Sequence, residues 1–210
     1  LSLTGCGWFA ADDPIQIAAI GPLLPAPNPM NGQLSPPNAL LLTASAQGLV
    51  SIDPDGQTDV GLAERWTVTA DGRSYIFRIR EADWSDGRRV TAQDIARLLT
   101  QYLSPGSRHP LKANFGDVES VRAMTDQVIE IRLKRPNAHL LELLAHPGMT
   151  LPNRGRGWGP LEARRGRGSI MLVPLPDPLA EDPEAAREAV EEPSGWVELR
   201  GLSAATAIAR

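Results

Sequence analysis

The chain has 210 residues, of which 22% are charged, and a formal net charge of -4. That length holds one good core, or one domain with a smaller partner. One cysteine excludes an internal disulfide and a thiolate zinc cluster, and no apolar run reaches the roughly 18 residues that a membrane-crossing helix needs.

Glycine and proline, 19 of each, are clustered rather than spread. The clusters run over 21–37, 152–168 and 174–183, and the stretch between the first two reads as compact structure. In chain order, Ile15–Gly21 reads as a short strand ending at a glycine. The mostly apolar segment from Asn38 reads as a helix or buried turn, followed by a turn at Asp53-Pro54-Asp55-Gly56. Residues 65–80 form two β-rich runs around Asp71-Gly72, a pair suited to a hairpin turn. Two-residue periodicity places Tyr75, Phe77 and Ile79 on one face, pointing inward. Trp84–Gly87 reads as a further turn. Thr91 with Asp94 three residues later resembles a capping box, with Asp standing for the usual Glu. Ile95, Leu98, Leu99 and Tyr102 then recur at helical spacing, and Pro105-Gly106 ends the helix. Val118–Met124 and Val128–Lys134 repeat the hairpin logic, with Ile129, Ile131 and Leu133 on one side. Asn137 is the expected cap of a short helix that Pro147-Gly148 stops. The centre, roughly 41–150, is therefore strand-strand-helix-strand-strand-helix, a small α+β module with antiparallel strands. Near the end, 195–202 reads as a strand, and Ser203 as the cap of a helix begun just before Arg210. An element so short is marginal alone, so the chain reads as a fragment of a larger protein.

The chemistry-bearing residues form no catalytic constellation. His109, His139 and His146 read as ordinary surface or cap residues, without acidic neighbours at ligand spacing, so no metal is expected. Asp53, Asp55 and Asp59 resemble a calcium loop only briefly, because the required glycine and the closing glutamate are missing. Asp83 and Asp86 flank a turn, and Asp94 favours a helix start. No serine sits on a nucleophile elbow, and no glycine-rich phosphate loop follows a strand. Arg154, Arg156, Arg164, Arg165 and Arg167 read as a solvated loop. A nucleic-acid groove would interleave aromatic residues with such a basic series, and here Trp158 stands alone in an acidic chain. An aromatic content of 5% gives no hint of a sugar platform.

The central run carries a resemblance. Leu62-Ala63-Glu64-Arg65-Trp66, Asp71-Gly72, Tyr75–Arg80, Trp84-Ser85-Asp86-Gly87 and Thr91-Ala92-Gln93-Asp94 follow one another as in a known signature. It resembles that of the bacterial extracytoplasmic solute-binding proteins of family 5, the peptide, nickel and oligopeptide class that serves ABC importers. Ile131–Asn137 and Trp158–Leu161 are similar to further family stations, and the likeness is strongest over 48–137. The early segment 22–37 is unusually proline-rich and departs from the family opening. The segment 180–193 reads as an extra short helix where relatives have an extended crossing.

The resemblance implies a mixed fold, α+β or α/β. The chain would be the first-lobe portion of a two-lobed periplasmic-binding-protein-like fold of type II. Residues 12–40 and 156–210 would contribute to the main sheet domain of that lobe. Residues 41–155 would form a smaller inserted α+β domain, and the second lobe would be absent from the chain. Family ligands lie against the loop after the first strand, here Leu24, Pro25 and Asn28. They also meet a loop of the smaller domain, here His109 and Leu111, and Trp158 could face the cleft. Leu111 and Trp158 fit plain packing equally well.

Leu3-Thr4-Gly5-Cys6 resembles the lipobox of bacterial lipoproteins, which implies Cys6 as a lipid anchor, with residues 1–11 as signal remnant and tether. Each acyl CH₂ buried in the membrane contributes about 0.8 kcal/mol. The implied function is capture of a small solute, an oligopeptide first of all, outside the cytoplasmic membrane. A monomer held at the outer face of that membrane would deliver the solute to the permease subunits, with no cofactor, no nucleic acid and no covalent chemistry. Two other readings stay open: an extracytoplasmic hydrolase with its catalytic residues beyond Arg210, and a structural or chaperone-like lipoprotein that has lost its ligand.

Overall fold

The computed structural model describes residues 14–84, 87–152, 159, 161–175 and 196–203. Two four-stranded sheets organise them. The first sheet is wholly antiparallel, in the order β4 (Ala63–Val68), β5 (Ser74–Ile79), β7 (Val128–Leu133), β6 (Val118–Ala123). Tyr75 pairs with Ile131 and Phe77 with Ile129 across β5 and β7, so the apolar alternate positions of both strands share one face. That face is buried beneath α2 (Ala92–Leu103), which contributes Ile95, Leu99 and Tyr102. Thr91 caps the helix: its Oγ1 accepts the Asp94 N–H at 3.2 Å and donates to Asp94 Oδ2 at 2.9 Å. The Asp94 carboxylate accepts from the Thr91 hydroxyl rather than from the Thr91 backbone N–H, so the N-cap forms but the expected reciprocal capping box does not. Each fully buried Phe, Ile or Leu of this core stabilises the fold by about 1.5–3 kcal/mol relative to exposure.

Two short elements close the other side of this core. A hairpin of β2 (Val50–Ile52) and β3 (Thr58–Val60) turns at Asp53–Gln57 and packs on α3 (Leu140–Ala145). The turn is the expected one. Its three-residue strands are too short to leave a periodic signature.

The second sheet has the order β1 (Ile15–Ile20), β10 (Val197–Leu202), β9 (Ile170–Pro174), β8 (Leu161–Arg165). Here β1 runs parallel to β10, and the remaining pairs are antiparallel. α1 (Pro36–Ser45) lies on one face, where Leu41 packs with Ile170, Leu172 and Leu199 as a separate small core. The apolar segment from Asn38 is therefore a helix. Pro36 and Pro37 sit in its first turn, where the missing N–H groups would have had no partner.

Three expectations are corrected. Arg164 and Arg165 stand on β8 and Arg167 in the β8–β9 turn, so they belong to a hairpin rather than a solvated loop. Register with the apolar β9 overrides the weak strand preference of Leu-Glu-Ala-Arg-Arg. His109 is not a surface residue: it is 4% exposed. Asn137 is not the cap of α3. His139 holds that position, and the Asn137 side chain accepts the His139 N–H at 3.0 Å in the turn before it. Cys6, Asp86, Arg154, Arg156, Trp158, the segment 180–193 and the helix after Ser203 lie outside the described residues.

Candidate functional site

The parallel strands β1 and β10 end side by side, and a cavity of about 630 Å³ opens at their carboxyl ends. In open α/β sheets, ligands bind outside the carboxyl ends of the strands. Two glycines make the opening. Gly21, at φ +132°, adopts a backbone conformation that side chains rarely allow. A Cβ on Gly201 would stand 2.5 Å from the Gly21 carbonyl oxygen. The segment after β1 is then pinned to the start of α1. The Ser35 hydroxyl donates to the Pro22 carbonyl at 2.6 Å, and the Leu24 N–H donates to Oδ1 of the buried Asn38 at 2.8 Å. Two side chains of the 35–38 stretch thus tie the rim down.

Ile20, Leu23, Pro25, Ile170 and Leu202 give the cavity an apolar wall, and Arg165 and Ser169 add polar groups. The β8–β9 turn forms the far rim, closed by the Gly166 N–H donating to the Ser169 carbonyl at 3.0 Å. On β10, the Ser169 hydroxyl and the Arg200 guanidinium hold the Glu198 carboxyl below the ordinary carboxylate range. Glu198 is therefore an anion at neutral pH, already paired.

The other side of the same segment borders a second cavity, about 550 Å³, against α2. Asn28, Arg97, Gln101, Tyr102 and Pro152 are among its walls. Three of its polar groups are engaged: Asn28 Oδ1 accepts the Met30 N–H at 2.9 Å, Arg97 bonds Asp94 at 2.6 Å, and the Tyr102 hydroxyl donates to the Thr150 carbonyl at 2.8 Å.

His109 stacks on Tyr102, with centroids 4.9 Å apart. Its Nδ1 accepts the Leu111 N–H at 3.2 Å, so Nε2 carries the proton and donates to the Gly148 carbonyl at 2.7 Å. Burial pushes the His109 pKa down, the Gly148 carbonyl partly opposes that, and nearby His146 lowers it further. The neutral ring is a joint between α2 and the 146–150 segment.

The five expected ligand contacts among the described residues are thus dispersed. Pro25 lines the strand-end cavity and Asn28 the second one. Leu24 lies between them, with its side chain 51% exposed. His109 is buried, and Leu111 packs half-buried against the main core. Arg165, Ser169 and Gly201 escaped sequence reasoning. The signal for Arg165 and Ser169 was the Gly-Arg-Gly-Ser turn between Leu-Glu-Ala-Arg-Arg and Ile-Met-Leu-Val, a hairpin pattern hidden by its arginines; Gly201 lies apart on β10 and had no such signal. Among the described residues, no group of three or more His, Cys, Asp or Glu side chains converges as metal ligands, and no helix is long and apolar enough to cross a membrane.

A family model described as bacterial extracellular solute-binding proteins, family 5 middle, matches residues 59–193. The probable deoxycholate-binding periplasmic protein YgiS of Escherichia coli (strain K12) is 28% identical over 150 residues, covering 60% of this chain and 28% of that protein. The oligopeptide-binding protein OppA of Bacillus subtilis (strain 168) is 30% identical over 115 residues, 47% of this chain and 21% of that one. The match thus spans between a fifth and a third of these relatives' length. Among solved structures, the PBP AgaA in complex with agropinic acid, from A.tumefacien R10, superposes with a TM-score of 0.76 at 18% identity. That match covers 94% of this chain and 41% of AgaA. The likeness establishes a mixed α/β fold resembling one lobe of a periplasmic-binding-protein-like architecture.

Proposed function

Because its model matches residues 59–193, the chain belongs to the bacterial extracellular solute-binding proteins of family 5, and from that premise we propose that it captures a small solute outside the cytoplasm for an ABC importer. The observation that carries this reading is the cavity at the carboxyl ends of β1 and β10, rimmed by a pinned segment and by the β8–β9 turn. Its volume lies within the roughly 300–1,000 Å³ of small-molecule sites, and its mostly apolar wall with few polar groups is their usual composition.

The finer architecture follows from the same reading. The sheet containing β1 and β8–β10 belongs to the main domain of a type II lobe, residues 12–40 and 156–210. Residues 41–155 form a smaller inserted domain. In AgaA more than half the chain lies outside the matched region, and closure over a solute needs the counterpart of that part as a second lobe. Solute bound between lobes would shift an open–closed equilibrium toward the closed form, which docks on the permease. Binding and hinge closure require no covalent step. Cys6, after Leu3-Thr4-Gly5, would hold a monomer to the outer face of the membrane through lipid.

Oligopeptides are the first solute class to test, because one relative is named for them. Another is named for deoxycholate, an apolar body with a carboxylate, and the apolar wall favours such a solute equally. The test is mass spectrometry of the chain lacking Cys6, under native and denaturing conditions. A mass excess lost on denaturation is expected. Absence of excess, together with no thermal shift across a panel of tripeptides and bile acids, would overturn the reading.

A further inference from the structure

We propose that Arg165 anchors the anionic end of an amphipathic solute whose apolar body fills the strand-end cavity. This rests on the solute-binding reading of that cavity and names the ligand class it takes.

The first observation is an imbalance of charge. Arg164 bonds Glu162 at 2.9 Å, and Arg200 bonds Glu198 at 2.9 Å. Arg165 lines the cavity and, among the described residues, has neither a hydrogen-bond nor an ion-pair partner. Strand alternation explains the difference. Glu162 and Arg164 point to one face of β8, and Arg165 points to the other with Leu161 and Ala163. Register then sets Arg165 opposite Ile170 on β9, beside the apolar wall.

The second observation concerns the alternatives. The hydroxyl of Ser169 is engaged with Glu198, so it does not supply the main polar contact. The rest of the wall is largely aliphatic or backbone. A guanidinium presents a planar fork that matches a carboxylate with two parallel N–H···O bonds. Arg165 is itself exposed, so the contact is a modest, salt-sensitive one, and the aliphatic wall beside it seats the apolar body. A neutral apolar solute would leave this fork unused, and a cationic one would be repelled by it.

The test is an NMR titration of the full 15N-labelled chain with N-acetyl-dileucine and with its C-terminal amide, which differ only in the anionic end. The wild-type chain, Arg165→Gln and Arg167→Gln are compared. Arg167 sits in the same turn without lining the cavity, and both arginines are exposed, so both variants keep the fold, which their spectra check directly. The expected result is perturbation of the Gly21, Gly166, Gly168 and Gly201 amides, with the acid binding about fivefold more tightly than the amide. That preference should vanish in Arg165→Gln, persist in Arg167→Gln, and shrink with added salt. Equal binding of acid and amide to the wild-type chain would overturn the anchor and leave the solute site standing. A preference that survives in Arg165→Gln would also overturn it. No perturbation of these amides by either compound would overturn the site and the anchor together.

Discussion

The sheet of β4, β5, β7 and β6 buries Tyr75, Phe77, Ile79, Ile129, Ile131 and Leu133 under α2, whereas among the described residues the sheet of β1, β10, β9 and β8 packs Ile170, Leu172 and Leu199 in a smaller cluster under α1, with Val173 buried on the opposite face of β9. The same residue types behave differently in the two. Ile79 and Ile129 are sealed in the first, while Ile15 and Ile17 on β1 are 62% and 38% exposed in the second. The first sheet has neighbours closing its core on several sides and gains most of its stability there. Among the described residues, the second is covered by one helix, α1, and joined by one parallel and two antiparallel strand pairs, and its strand ends open into a cavity. On the proposed function, stability and binding would therefore be divided between the sheets: the closed one would hold shape, and the open one would offer the surface.

The largest expected break of this division is Phe77→Ala. Phe77 is fully buried, and deleting such a ring costs about 3–5 kcal/mol. Urea denaturation should show that loss, and a change below about 1 kcal/mol would mean the first sheet is not the main support. Gly201→Ala should cost less, about 2 kcal/mol, because the new methyl would overlap the Gly21 carbonyl. Its signature should be local: faster amide exchange at the ends of β1 and β10, with β5 and β7 unchanged. Equal acceleration in both sheets would erase the division.

Thr91→Ala removes the side-chain acceptor at the start of α2 and should cost about 1 kcal/mol in the same urea assay. An Asn at that position should restore most of it. The smallest effect near neutrality is a pH effect at His109. Its folded pKa lies below the ordinary value of 6.5, so the unfolded chain takes up the proton first on acidification. The contribution is fully present above about pH 6.5 and is lost progressively as pH falls through the lower folded value. In His109→Gln this component of the stability–pH profile should be absent. An unchanged profile would remove His109 as its source.

The two regions were also unequally legible. Asp71-Gly72 and the alternation Tyr75, Phe77, Ile79 marked the first sheet plainly, because its strands are six residues long and buried on one face. The capped helix beginning after Thr91 was equally clear. In the second sheet, β8 hides its strand character behind charge: alternation there sets Glu162 and Arg164 on one face and Arg165 on the other. Its identity depends on register with β9, a contact that local pattern does not encode. His109 was obscure for a similar reason. Its partners are Tyr102 and Gly148, distant in sequence, and nothing beside it announces burial. Pro25 and Asn28 were expected as ligand contacts from family likeness, and they line two different cavities. The apolar wall and Arg165 come from three separate chain segments meeting at the strand ends, so only the fold could reveal them.

The most direct test of a solute site at the strand ends is amide hydrogen exchange of the chain with and without a saturating tripeptide mixture. The account predicts added protection at residues 20–25, 166–170 and 201–203, with β4 to β7 unchanged. Protection confined to β4–β7, or none at the strand ends while the mixture is bound, would contradict it.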